Sequence, residues 1–208
     1  MNKQGIRNQV KALMNRNDFT DALADTFIDQ GVARIQRTLR VPAMEKMEIY
    51  TASEQTPDTL ILPNDFLELK HIYVVYPDRS YTLQYKDLDS FLRYPTALNS
   101  RPQFYTRIQG SLKMKPSPAE GDETILVYYG EIPDLVNNTD ENFVTIIAPD
   151  LLIYGALSYA ADYFVDERKA MFDESYNRIY AELVEQATSS EMNQSGLAVS
   201  PGFNYPEY

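Results

Sequence analysis

The hydrophobic period of this chain changes twice, from helical to alternating near Met47 and back to helical at Pro149, so helices at both ends must flank a β-rich middle. The clearest helical stripe is Ile28, Val32, Ile35 and Leu39, at spacings of four, three and four, which predicts a helix over about 20–40 that Pro42 stops. Arg34, Arg37 and Arg40 recur at spacings of three beside that stripe, so one guanidinium cluster lies next to the buried face. A shorter helix is predicted upstream by Ile6, Val10, Leu13 and Met14, and the polar break 15–18 supplies cap chemistry between the two.

From Met47 onward β-branched and aromatic residues cluster between Pro-Asp and Pro-Asn turns, predicting strands at 49–51, 59–62, 67–76, 104–108, 112–115 and 124–129 in one small antiparallel sheet. Gly110-Ser111 is read as a hairpin loop, and a short helix over about 87–94 is expected to turn Leu88, Phe91 and Leu92 inward. Pro149 suits the first turn of a helix reaching about 164, with Leu152, Ala156, Tyr159, Ala160 and Tyr163 on one side. Phe172, Tyr176, Ile179 and Leu183 mark a last helix over about 167–187. The expected fold is therefore α+β: a helical bundle from residues 1–46 and 148–187, an inserted antiparallel β region over 47–147, and an extended C-terminal tail over 188–208. In that tail Leu197, Val199, Phe203, Tyr205 and Tyr208 stand as spaced apolar anchors among Gly and Pro.

The 208 residues contain no Cys and one His, His71, which removes disulfides, thiolate metal sites and Cys-His chemistry. His71 lies in a strand pattern and reads as structural, while the carboxylate groups around Asp87 and Asp122 fall in turns and helix starts, where acids act as caps. There is no Walker-type loop, no Gly-x-Gly-x-x-Gly turn and no HExxH helix, so no catalytic residue, cofactor or metal is expected. The many tyrosines could stack on single-stranded nucleic acid only beside a basic groove, and the β region balances its Lys and Arg with acids. No apolar run is long enough to span a bilayer and the N-terminus lacks a signal-peptide core, so no membrane partner is expected and a soluble protein made and kept in the cytoplasm is implied. Net charge is −11, but residues 1–46 carry +3 and the remainder −14. Subunits joined head to tail could therefore set Arg34, Arg37 and Arg40 against acids of the last helix, Asp173, Glu174 and Glu182, across a subunit interface.

Several motifs occur in a recognisable order: Asn15-Arg16-Asn17-Asp18-Phe19, then Arg34-Ile35-Gln36-Arg37-Thr38-Leu39-Arg40-Val41, then Leu62-Pro63-Asn64-Asp65-Phe66-Leu67-Glu68-Leu69. Tyr105-Thr106-Arg107-Ile108-Gln109-Gly110-Ser111-Leu112 follows, with Pro116 and Pro118. Next come Tyr128-Tyr129-Gly130-Glu131-Ile132-Pro133-Asp134-Leu135 and Pro149-Asp150-Leu151-Leu152-Ile153-Tyr154-Gly155-Ala156-Leu157. In this order the chain resembles the head-to-tail adaptor (connector) proteins of short-tailed bacteriophages, departing from them at Gly31-Val32-Ala33-Arg34, where the family usually has Glu-Ala-Arg, and at Phe19, where it has Leu. The resemblance implies a structural, non-enzymatic virion protein of the neck. Such a subunit forms a homo-oligomeric ring, a dodecamer, beneath the portal protein, contacts tail nozzle or fibre proteins, and lets DNA pass through its lumen without specific binding. It also implies that the tail anchors dock on the portal or on a neighbouring subunit. Another tail component, a stopper or nozzle subunit, is the alternative within the same chemistry, and a DNA-binding packaging protein is the alternative outside it.

Overall fold

The computed structural model describes residues 1–53, 57–95 and 100–194, with side chains described as far as residue 189. The chain divides into two compact units, one made of Met1–Pro42 with Ile132–Tyr208 and the other of Ala43–Glu131. Together they form a mixed α+β structure with six α-helices and two small sheets among the described residues.

In the helical unit, α1 (Lys3–Met14) is opened by the Asn2 side chain and closed by Asn15 in the left-handed region, which an Asn tolerates well. Thr20 caps α2 (Asp21–Thr38), whose buried residues include Ile28, Val32 and Ile35 of the stripe. Gly31 lets α2 approach α5 (Pro149–Tyr163): a Cβ there would meet the Ala156 backbone nitrogen at 3.2 Å, closer than most side chains are found. α5 is apolar nearly all round and buried on most sides, with Leu151, Leu152, Ala156, Leu157 and Ala160 inside. α6 (Lys169–Gln194) lays Phe172, Tyr176 and Ile179 inward, while Leu183 is half-buried. Tyr163, expected on the inner side of α5, is instead exposed, because it lies in the last turn, at the end of the packed interface.

Residues 132–147 pack as part of this unit and include α4 (Phe143–Ile147), opened by a reciprocal cap between Asn142 and Thr145. The last helix also runs further than its apolar stripe, so residues 188–194 are helical where an extended tail was expected. There Thr188 returns its hydroxyl to the Val184 carbonyl at 2.9 Å, satisfying a polar side chain inside the helix. The anchors Leu197, Val199, Phe203, Tyr205 and Tyr208 lie outside the described residues.

In the β unit the single expected sheet is two. A 3₁₀ turn (Pro42–Met44) leads into β1 (Glu45–Thr51), which together with β8 (Glu123–Gly130), β3 (Phe66–Val75) and β4 (Ser80–Thr82) forms one antiparallel sheet in the order β1-β8-β3-β4. The second has the order β2-β7-β6-β5, from β2 (Thr59–Ile61), β7 (Ser111–Lys115), β6 (Phe104–Ile108) and β5 (Gln84–Tyr85), and its β5-β6 pair is parallel. Leu60, Leu112 and Met114 from the second sheet pack with Ile72, Val74, Leu126 and Tyr128 from the first, and Leu83 joins them where the chain crosses between sheets. The hairpin loop is Gln109-Gly110, one residue earlier than expected, since Ser111 already pairs with Ile108 and Gln109 takes the positive φ of 54°. Of the apolar residues in α3 (Leu88–Arg93) only Phe91 is buried; Leu88 and Leu92 are 46% and 61% exposed, because so short a helix presents a single turn to the sheet.

Candidate interaction sites

Part of the N-terminal positive charge is paired off within the helical unit. Lys3, Arg7 and Lys11 recur every four residues along α1, as do Asp21, Asp25 and Asp29 along α2, so two antiparallel helices can set one charged ladder against the other. Arg7 makes a bidentate pair with Asp25, Nε to Oδ1 at 2.6 Å and Nη2 to Oδ2 at 2.7 Å, and Lys11 pairs with Asp21. Lys3, buried, lies 3.6 Å from the same Asp25 carboxylate. Burial pushes the Asp29 carboxyl above its usual range, against the pull of Lys3. This ladder was not singled out in the sequence, although its four-residue spacing is visible there.

The three arginines beside the α2 stripe divide by position. Arg34 points into the junction of α2, α5 and α6, where Nη1 donates to Asp173 Oδ1 at 2.9 Å and to Ser158 Oγ at 3.3 Å. Its guanidinium carbon lies 3.8 Å from the centroid of the Tyr176 ring, and Ser158 donates its hydroxyl to Asp173 at 2.7 Å. Burial raises the Asp173 pKa, but the Ser158 hydroxyl and the Arg34 cation outweigh it and hold that carboxyl below its ordinary range. Burial likewise pushes the Tyr176 phenol up. Arg34 and Asp173 are thus brought together inside one subunit. Arg37 is exposed and touches only the Tyr159 hydroxyl, at 3.3 Å, among the contacts described for it. Arg40 folds back to donate to the Gln36 and Leu39 carbonyls at 2.9 and 2.7 Å, covering orphan acceptors at the end of the helix. Glu174 and Glu182 are exposed on α6.

Arg168 is a further residue whose task sequence reasoning missed. It donates from Nη1 to the Leu13 carbonyl at 3.0 Å and from Nη2 to the Met14 carbonyl at 3.2 Å, closing α1 across 155 and 154 residues of chain. Its pair with Asp166, 2.7 Å from Nη2 to Oδ2, lowers that carboxyl to about 2. No local signal marks such a long-range cap.

His71 is exposed on the outer face of β3, with its Nε2 3.3 Å from the Thr82 hydroxyl and its ring 5.7 Å from that of Tyr73. Asp87 caps α3 by accepting from the Ser90 amide, and Asp122 accepts from the Tyr76 hydroxyl and the Ala119 amide, so these acids perform the turn and cap work read from their positions. Among the described residues no group of three or more His, Asp or Glu is arranged to hold a metal ion, and no helix is long and apolar enough to cross a membrane. The β unit also exposes large apolar side chains, Met47 and Ile49 of β1 and Ile61 of β2 among them.

A family model described as SU10 adaptor protein matches residues 1–200, which takes in both units. The chain belongs to that family. It is a family of phage head-to-tail adaptors, so this adaptor is a structural protein of the virion neck that meets other virion components. A search of curated proteins found no match to the adaptor.

Proposed function

We propose that this adaptor is a ring-forming subunit, twelve copies to the ring, that joins the portal to the tail and lines part of the DNA channel. The observation that carries the reading is the family match over residues 1–200, which includes the helical unit and the β unit alike. The charge distribution supports it. The α1 and α2 ladders cancel three bases against three acids and leave residues 1–46 at +3, Arg34, Arg37 and Arg40 among the bases that remain, while residues 47–208 carry −14. A wall of that sign repels the phosphate backbone and avoids the many cation contacts that would hold DNA in place. Exposed Arg37 on α2 and exposed Glu174 and Glu182 on α6 supply the two unlike faces that a head-to-tail ring needs, with Arg34, Arg40 and Asp173 positioning those helix surfaces. The portal and the nozzle or fibre proteins are the proposed partners above and below, and the anchors Leu197, Val199, Phe203, Tyr205 and Tyr208 are proposed to dock on one of them or on a neighbouring subunit. The test is charge reversal. Arg37→Glu should weaken ring formation and flatten its salt dependence, and Glu174→Lys with Glu182→Lys should restore part of it; an Arg37→Glu ring with wild-type stability and salt response would refute the interface.

A further inference from the structure

Natural sheets protect their edges, and three of the four edges in the β unit are short: β4 and β2 have three residues each and β5 has two. β1 is the exception. It runs for seven residues, pairs with β8 on one side, and has no strand on the other among the described residues. Two of its four outward side chains are large and apolar, Met47 being 60% and Ile49 53% exposed, between Glu45 and Thr51. The register sets Ile49 beside Ile125 and Ile125 beside Tyr73, and Met47 beside Val127 and Val127 beside His71, so two rows of mostly apolar side chains cross the outer face and stop at β1. An antiparallel sheet facing water on one side ordinarily carries polar residues there.

The chain itself contains a segment of matching chemistry. In residues 196–203, Leu197, Val199, Pro201 and Phe203 alternate with Gly196, Ala198, Ser200 and Gly202, which is the period of a strand with one apolar and one small-residue side. No Asp, Glu, Lys or Arg occurs between Glu191 and Glu207. On its inner side β1 carries Lys46, tied to Asp65, the exposed Glu48, and Tyr50, whose hydroxyl donates to the Ile61 carbonyl at 2.6 Å, beside a cleft of about 220 Å³ floored by Leu60 and Met114. Small residues fit beside such a wall.

We propose that β1 receives residues 196–200 of a second copy of the chain as an added strand, with Leu197 and Val199 extending the two apolar rows beyond Met47 and Ile49. Backbone pairing would supply the affinity and the alternating side chains the register. Donation from one copy to the next is a heterologous contact, the kind that closes into a ring, whereas β1 pairing with another β1 would be a twofold contact and stop at a dimer. The proposal deepens the ring reading and rests on it for the identity of the donor.

Because the chain has no Cys, introduced thiols are the only ones present. Full-length Ile49→Cys protein is mixed with full-length, size-tagged Val199→Cys or Leu197→Cys protein in the presence of the portal, on which the copies assemble, oxidised mildly, and separated without reductant; Met47→Cys serves as a second acceptor. Neighbours on one face of a strand pair meet disulfide geometry and those on opposite faces do not, so cross-linking should be at least about tenfold faster than with Ala198→Cys or Ser200→Cys. Equal rates for the two sets overturn the proposal. So does an Ile49→Cys/Val199→Cys double variant that closes only within its own chain. Mass measurement of the same samples separates the two readings: a ring without cross-links sinks the strand donation alone, and cross-linked copies that never close into a ring sink the ring reading alone.

Discussion

Arg34 is the residue at which a structural role and an interface role differ most sharply in consequence. Replacing it with Met keeps an unbranched stem against Tyr176 and deletes the cation. The charged hydrogen bond to Asp173 at 2.9 Å contributes about 1.5 kcal/mol, the low end for such bonds, because the two side chains remain 24% and 33% exposed. The guanidinium 3.8 Å from the Tyr176 centroid adds about 1 kcal/mol, of which the Met thioether recovers a part. Arg34→Met is therefore expected to destabilise the helical unit by about 2 kcal/mol, lowering its melting temperature by roughly 4–8 °C. Urea unfolding followed by helical circular dichroism checks this, since five of the six described helices lie in that unit. In a double-mutant cycle with Asp173→Asn the coupling should reach about 1 kcal/mol. Arg37→Met, at an exposed position with one weak contact, should stay within about 0.5 kcal/mol of wild type. Additive effects at Arg34 and Asp173, or an equal loss at Arg37, would show that the internal pair does not hold α2 to α6.

Asp25→Ala should cost about 3 kcal/mol, because it leaves Arg7 and Lys3, both buried, without their shared anion, and the urea midpoint reports it. For Asp166, a folded-state pKa of about 2 lies below the ordinary value near 3.9, so the stability it contributes is complete above pH 4 and fades as pH falls toward 2. The stability gap between wild type and Arg168→Gln should accordingly be widest at pH 5 and narrow through that window, leaving the pH-independent part due to the α1 cap; an unchanged gap at pH 2 would refute the pairing.

Helices were legible where an apolar stripe is long and regular. Ile28, Val32 and Ile35, and then Phe172, Tyr176 and Ile179, satisfy the helical period and are buried in the structure. Strand positions were legible too, but not their division into two sheets, because period and turn residues say where a strand is and not which strand lies beside it. The crossing at Leu83 and the parallel β5-β6 pair are non-local facts. Side-chain roles followed the same rule. The caps at Thr20 and Asp87 act within three residues and could be read locally, whereas Arg34 meets Asp173 across 139 positions and Arg168 reaches Leu13 across 155. The end of α6 was misplaced because its last residues are polar and carry no stripe, although the helix continues to Gln194.

The proposed assembly of this adaptor is a ring on the portal. Native mass measurement of the purified full-length protein, alone and after addition of its portal, tests it most directly. The expected result is a monomer of 23.9 kDa alone and a portal complex carrying twelve copies, with fewer bound as salt is raised. A protein that stays monomeric in the presence of the portal, or binds it as a single copy, would contradict the account.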